Sequence, residues 1–494
     1  MVERSRPGCT ALLIANRTAF TKHRGAAKPP ARCMQLPPTP LASRSKAHMK
    51  NLILRSTVSG LFAATMLAST FCASAADLMA IYRDAIAQDP VFSAARFAYE
   101  AAKEASPQAR AATLPSLALG GSVTRVKSET EFAGSSTSRD YTNKGYTLSL
   151  TQPLFRMQTW IAVDQAALQV KQAEAAFADA KQSLITRAAQ AYFDVLLAQD
   201  SVDLSAAQKK AFAEQLAAAK RNFEVGTSTI VDTYEAQAKY DLAISKEIFD
   251  QADFEIKKNA LQQLIGKKAP SLSALRDNVA LPLPTPADPE KWVAAADEAS
   301  PTIAQARALY EIAAKEVDRS KAGHYPTLDL VASYGYNSAP SATPTLSGSL
   351  VSKTSQLGLS LNIPLYSGGG TQSRMRQSLS AKDQSEQNLE NSKRSVAQNV
   401  RSTFLNVTSG VAQVKALEAS LISSKASLDS TLLGKDVGVR TNVDVLNSQQ
   451  QLFQTRRDLQ QARYGTILAQ LRLKSAAGRL TEDDLAEVNQ LLQR

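Results

Sequence analysis

Catalysis needs a nucleophile, a matched acid and base or a metal set, and this 494-residue chain offers few carriers of any of them. Its three cysteines, Cys9, Cys33 and Cys72, and two of its three histidines, His23 and His48, fall within the first 75 residues. His324 stands alone beyond them, beside Tyr325-Pro326, with no second imidazole or thiol to complete a metal site. No Walker loop, G-x-G-x-x-G, G-x-S-x-G or H-E-x-x-H pattern occurs. Only carboxylates, lysines and tyrosines remain, without a paired set, so neither an enzyme nor a cofactor is expected. Two tetrads do stand out: Thr229-Ile230-Val231-Asp232 and Thr441-Asn442-Val443-Asp444. Each reads as a helix-capping box, threonine at the N-cap and an acid three residues on.

The two tetrads belong to a longer repeat. Asp89-Pro90 answers to Ser300-Pro301, Leu114-Pro115 to Tyr325-Pro326, Gln152-Pro153 to Ile363-Pro364, and Val225-Gly226 to Val437-Gly438, at offsets of 211, 211, 211 and 212. One protomer therefore carries two copies of a structural unit, the arrangement that builds pseudo-symmetric assemblies around an axis. The expected organisation is a first repeat over 76–268, a Pro-rich linker over 269–290, a second repeat over 291–478 and a short C-terminal helix over 479–494.

The N-terminus is set apart. Residues 49–75 hold a basic start, an apolar run from Val58 to Phe71 and Ala73-Ser74-Ala75, the layout of a secretory signal peptide. Residues 1–48 lie upstream and are read as a mis-set start of translation, a genuine basic arm being the alternative. Of the 57 Lys and Arg residues, 11 lie in 1–75, and of the 45 acids only Glu3, which leaves 46 against 44 and a net charge of +2. The isoelectric point of 9.4 is then a property of the leader, and no nucleic-acid partner is expected.

Periodicity supplies the elements. Residues 154–225 contain neither Gly nor Pro, a helix that approaches ~100 Å at about 1.5 Å per residue; its counterpart, 371–433, is broken only by Gly410. There Val396, Val400, Phe404, Val407, Val411, Val414, Leu417 and Leu421 form a narrow seam like that of a coiled coil. Shorter helices over 227–265 and 439–477 complete two antiparallel hairpins. On helices alone a soluble coiled-coil scaffold would suffice. The strands argue otherwise: Leu117, Leu119 and Val123, then Tyr146, Leu148 and Leu150, then Leu328, Leu330, Ala332, Tyr334 and Tyr336, then Leu357, Leu359 and Leu361 alternate with polar or small residues. Segments of about 8 to 11 residues match tilted membrane strands, and the polar stretches 127–145 and 337–355 read as external loops. Four strands cannot close, and an open edge in lipid leaves backbone groups unpaired, so the chain must oligomerise; three protomers give twelve strands and twelve hairpin helices.

Over 77–485 these landmarks resemble the TolC-like outer-membrane factor family, notably at Leu114-Pro115-Ser116-Leu117, Tyr325-Pro326-Thr327-Leu328, Pro364-Leu365-Tyr366-Ser367-Gly368-Gly369 and Val437-Gly438-Val439-Arg440-Thr441-Asn442-Val443-Asp444. The resemblance implies an α+β membrane protein: a homotrimer with a 12-stranded outer-membrane β-barrel continuous with an α-helical barrel across the periplasm. It further implies a passive exit duct for type I secretion or efflux, joined by a periplasmic adaptor (a membrane fusion protein) and an inner-membrane transporter, either ABC or proton-driven. A periplasmic coiled-coil adaptor without a pore is the rival reading. By resemblance Arg440 is a gate arginine, Asp232 its partner on the other hairpin and Asp444 a pore-lining acid. Three positions depart from the family pattern: Lys435 replaces an aromatic gate residue, Val231 a hydroxyl and Asn447 a second acid, which implies a thinner gate network.

Overall fold

The computed structural model describes residues 76–276, 279–340 and 348–493; the signal peptide and upstream segment expected over 1–75 lie outside them. The elements run α1 (Leu78–Gln88), α2 (Pro90–Lys103), α3 (Ala105–Ala111), β1 (Ser116–Phe132), β2 (Ser135–Phe155), α4 (Met157–Glu224) and α5 (Ile230–Ile265). The order then recurs: α6 (Pro289–Ala299), α7 (Pro301–Lys321), a short 3-10 turn at Ala322–His324, β3 (Thr327–Pro340), β4 (Ser349–Asn362), α8 (Gly370–Asp436), α9 (Asn442–Ala476) and finally α10 (Glu482–Asn489). His324 closes that turn, at the helix-to-strand junction expected for it.

The four strands form one antiparallel sheet in the order β1-β2-β3-β4. Its register places Leu119 opposite Leu148, Leu148 opposite Tyr334, and Leu330 opposite Leu359, so the apolar positions of all four strands share one face. Cross-strand neighbours pack on that face, with Tyr146 stacked on Tyr336 at 5.1 Å between ring centres. None of the described elements covers it: Leu117, Leu119, Leu357, Leu359 and Leu361 are 61–77% exposed. From Leu328 to Tyr336 the face runs about 26 Å along the strand at ~3.3 Å per residue, the scale of a lipid-facing band.

The strands are longer than the alternation of apolar residues indicated. β1 has 17 residues, β2 21, and β3 and β4 14 each. The expected loop 127–145 is instead a hairpin that turns at Ala133-Gly134, its walls polar on both faces and tied by a two-pronged Arg125–Asp140 ion pair at 2.9 and 2.6 Å. Most of 337–355 is likewise strand. Serine and threonine suit strands as well as loops; in a two-sided polar ribbon no buried face betrays them.

Below the sheet, α4 and α8 span 68 and 67 residues, each about 100 Å long. Gly410 does not interrupt α8. It lets α9 approach, since a Cβ there would meet the Thr466 hydroxyl at 2.6 Å. The seam behaves as its spacing indicated: Val400, Phe404, Val407, Val411 and Val414 are all buried, while Val396 packs on the same cluster from its edge. Sheet and helices meet at Arg156, just before α4, which grips Asp329 of β3 through two hydrogen bonds of 2.8 and 2.6 Å. Half-way down, α1 and α10 pack against α4, α5 and α9 around Tyr82, Tyr192, Phe193, Leu261, Ile467 and Leu485. The linker joins this belt: Arg276 donates its N–H to Leu491 O, and Gln493 its N–H to Ala274 O.

A close helix approach made by one glycine is sensitive to added bulk. Gly410→Val should lower stability by about 1–3 kcal/mol by forcing α8 and α9 apart, visible as a reduced midpoint of thermal unfolding followed by helical circular dichroism; an unchanged midpoint would show that Thr466 yields without cost.

Candidate functional site

The two hairpin tips are built alike. α4 ends in a Schellman turn: Gly226, at φ +76°, donates to Phe223 O, and Thr227 reaches back to Asn222 O at 2.8 Å. α8 ends the same way, with Gly438 at φ +78° donating to Lys435 O, and Val439 to Gly434 O at 2.9 Å. Only a residue tolerant of positive φ closes such a turn cheaply. The next helices then start on the capping boxes read from sequence. Thr229 accepts from Asp232 N–H while Asp232 accepts from the Thr229 N–H at 3.0 Å and its hydroxyl at 2.8 Å, and Thr441 and Asp444 repeat the pattern.

The site residues fall around these tips. Burial pushes the Asp232 carboxyl up, but hydrogen bonds from Thr229 and Ser228 and the charge of Lys435 outweigh it and hold it below its ordinary 3.8. Hydrogen bonds from Thr441, aided by Arg440, likewise hold Asp444 down. Asn447 lies exposed one turn beyond Asp444, on the same face of α9. Arg440 is exposed at the turn, its N–H bonded to Gly434 O, and makes no hydrogen bond to Asp232 among the described residues of the chain.

Lys435 does more than sequence reasoning assigned to it. Its ammonium donates to Asn442 Oδ1 at 2.9 Å and to Gln215 Oε1 of α4 at 3.3 Å, so it ties the end of one hairpin to the side of the other while its field reaches Asp232. The only sequence signal for this was negative: a lysine where an aromatic is the family habit. The Arg156–Asp329 clamp was missed too, because its two members lie far apart in sequence. Among the described residues no cluster of His, Cys, Asp or Glu is placed to hold a metal.

Comparison with known proteins follows from this geometry. The sequence pattern of the family described as outer membrane efflux protein matches residues 81–267 and again 292–479. Outer membrane protein TolC of Vibrio cholerae is 31% identical over 416 residues, 84% of this chain and 93% of that protein. The alkaline protease secretion protein AprF of Pseudomonas aeruginosa is 31% identical over 440 residues, 88% of this chain and 91% of its own length. Among solved structures, the outer membrane protein VceC of Vibrio cholerae superposes with a TM-score of 0.69 at 19% identity, covering 81% of this chain and 96% of that one.

A carboxylate held below its ordinary value stabilises the fold above that value, and the contribution is lost as pH falls through the folded value. Acidification below about 3.8 should therefore loosen the first turn of α5, seen as less protection over 230–235 relative to the intrinsic exchange rate at each pH. Thr229→Ala should cost the same turn about 1 kcal/mol at neutral pH; exchange that ignores both changes would remove the capping account.

Proposed function

Because this chain belongs to the outer membrane efflux protein family, we propose that it works as a closed homotrimeric conduit whose strands line up edge to edge in the outer membrane. The protein is an outer-membrane channel rather than an enzyme, the exit duct of a tripartite type I secretion or efflux system that includes a periplasmic adaptor and an inner-membrane transporter. Family membership sets aside the adaptor without a pore.

One observation carries the finer reading: an apolar face continuous over four strands whose outer members, β1 and β4, have no strand on their outer sides among the described residues. Exposed apolar area of this extent seeks lipid or protein, and unpaired N–H and C=O groups in lipid cost several kcal/mol each. Pairing β4 of one copy with β1 of the next meets both demands. Three copies give twelve strands, and the two element sets of each chain, read as an internal duplication, give the tube its pseudo-sixfold wall.

At the far end the hairpin tips form the gate. Closed, the turn that carries Lys435 and Arg440 leans toward the axis, Lys435 bonding Asn442 within its own hairpin and Gln215 of its chain's first hairpin, while Arg440 reaches Asp232 of a neighbouring hairpin. Half-exposed charge pairs add little to global stability, yet they bias two arrangements of near-equal energy. Opening follows when the adaptor and transporter bind the open tip better. Asp444, repeated around the axis, lines the constriction and favours cations, with Asn447 a neutral ring beside it.

In planar bilayers, Arg440→Ser should raise the resting conductance several-fold, and Asp444→Asn should reduce both cation preference and block by multivalent cations. A resting current equal to wild type would argue against the gate, and unchanged selectivity against the acidic ring.

A further inference from the structure

Charge on the sheet is sorted by face and by height. Alternate residues of a strand point to opposite sides, and the face that carries Leu119, Leu148, Leu330 and Leu359 is the apolar one. Over Leu117 to Val123, Tyr146 to Leu150, Leu328 to Tyr336 and Leu357 to Leu361, its positions hold no charged side chain. At the end of the sheet away from the helices the same parity brings Lys353 level with Tyr336, Lys144 level with Val123, and then Arg125 and Lys127 on β1. All four cations are exposed. The opposite face of the same stretch is mostly hydroxyl and amide, and Arg139 is its one cation among the described residues.

Height then sorts sign. Arg125 is neutralised by Asp140 at 2.6 Å, while Lys127, Lys144 and Lys353 form no ion pair among the described residues. Glu129 and Glu131 stand one and two pleats farther from the apolar band than Lys127. Away from the helices the outward face is therefore an apolar band, a row of stacked tyrosines, three uncompensated lysines within about three pleats of ~7 Å each, and only then carboxylates. A surface that served solubility alone would intersperse the two signs.

We propose that Lys127, Lys144 and Lys353 bind the phosphate groups of phosphorylated lipid in the outer leaflet, an assignment that rests on the sheet crossing the outer membrane with its hairpin turns outside. Lipid phosphates stand just beyond the hydrocarbon, at the level that interfacial tyrosines mark. A lysine there lays its apolar stem along the rim of the band and carries its ammonium out to the headgroup. Lys144 and Lys353 are two strands and one pleat apart, about 12 Å between Cα atoms, so they can meet two phosphates of one lipid or of adjacent lipids. Each cation close to an anionic leaflet strengthens the hold about fivefold. The contact would fix the depth of the sheet in the membrane against axial pull from the long helices.

The full chain in nonionic detergent is heated with diphosphoryl lipid A, with its dephosphorylated counterpart, and with inorganic phosphate. The diphosphoryl lipid should raise the unfolding midpoint at concentrations about tenfold lower than the dephosphorylated one, and inorganic phosphate should leave the midpoint unchanged. Lys127→Gln/Lys144→Gln/Lys353→Gln should lose that preference and Lys127→Arg/Lys144→Arg/Lys353→Arg should keep it, both remaining multimers by light scattering. Equal response of the wild type to the two lipids, an undiminished preference in the glutamine variant, or inorganic phosphate acting as well as the lipid overturns the site and leaves the channel reading intact. A glutamine variant that dissociates without lipid overturns it too, by assigning the lysines to acids of a neighbouring copy. A chain that ignores both lipids and stays soluble without detergent overturns the membrane reading along with the site.

Discussion

The pairing of backbone hydrogen bonds at the edges of a four-stranded sheet governs this molecule. Each strand inside the sheet satisfies its neighbours, but β1 and β4 each leave a row of N–H and C=O groups on the side facing away from the sheet. In water those groups would be solvated; beside a band of exposed Leu and Tyr they face lipid, where nothing else can bond them. In the proposed assembly further copies of the chain supply the missing edges. A ring of copies would carry everything attached to the strands into a ring as well, and the long helices below would form the wall of a tube.

That transmission depends on stiff joints. Arg156 ties the start of α4 to β3 across the sheet-to-helix junction, and α4 then runs 68 residues without a Gly or Pro to absorb a bend. The belt of α1, α10 and the linker clasps the bundle at mid-height, around Tyr192 and Phe193. At the tips the helices end in glycine turns and polar caps, and the hydrogen bonds around Lys435 and Asp232 stand where the proposed gate would move its hairpins.

Elements governed by local chemistry were legible in the sequence. The two hairpins, their glycine turns and the capping boxes at Asp232 and Asp444 were readable because each motif is complete within a few residues. The buried row of α8 was readable because coiled-coil spacing survives in a list of valines. Features that depend on distant partners were not. The polar extension of β1 and β2 reads as loop because neither face is buried, and Arg156 finds Asp329 only after the fold brings them together. Lys435 was noticed as an oddity, but its hold on Gln215 required knowing that α4 passes beside the end of α8. Gly410 looked like a break and proved to be a contact.

Hydrogen exchange at the two outer strands tests the central claim most directly. In protein extracted in mild detergent, amides of β1 over Leu117–Val123 and of β4 over Leu357–Leu361 should be protected as strongly as those of the inner strands β2 and β3, because a neighbouring copy completes each edge. Outer-strand amides that exchange as fast as those of the hairpin turn at Ala133-Gly134 would mean the edges are open, and a sheet with open edges cannot be a conduit through a membrane.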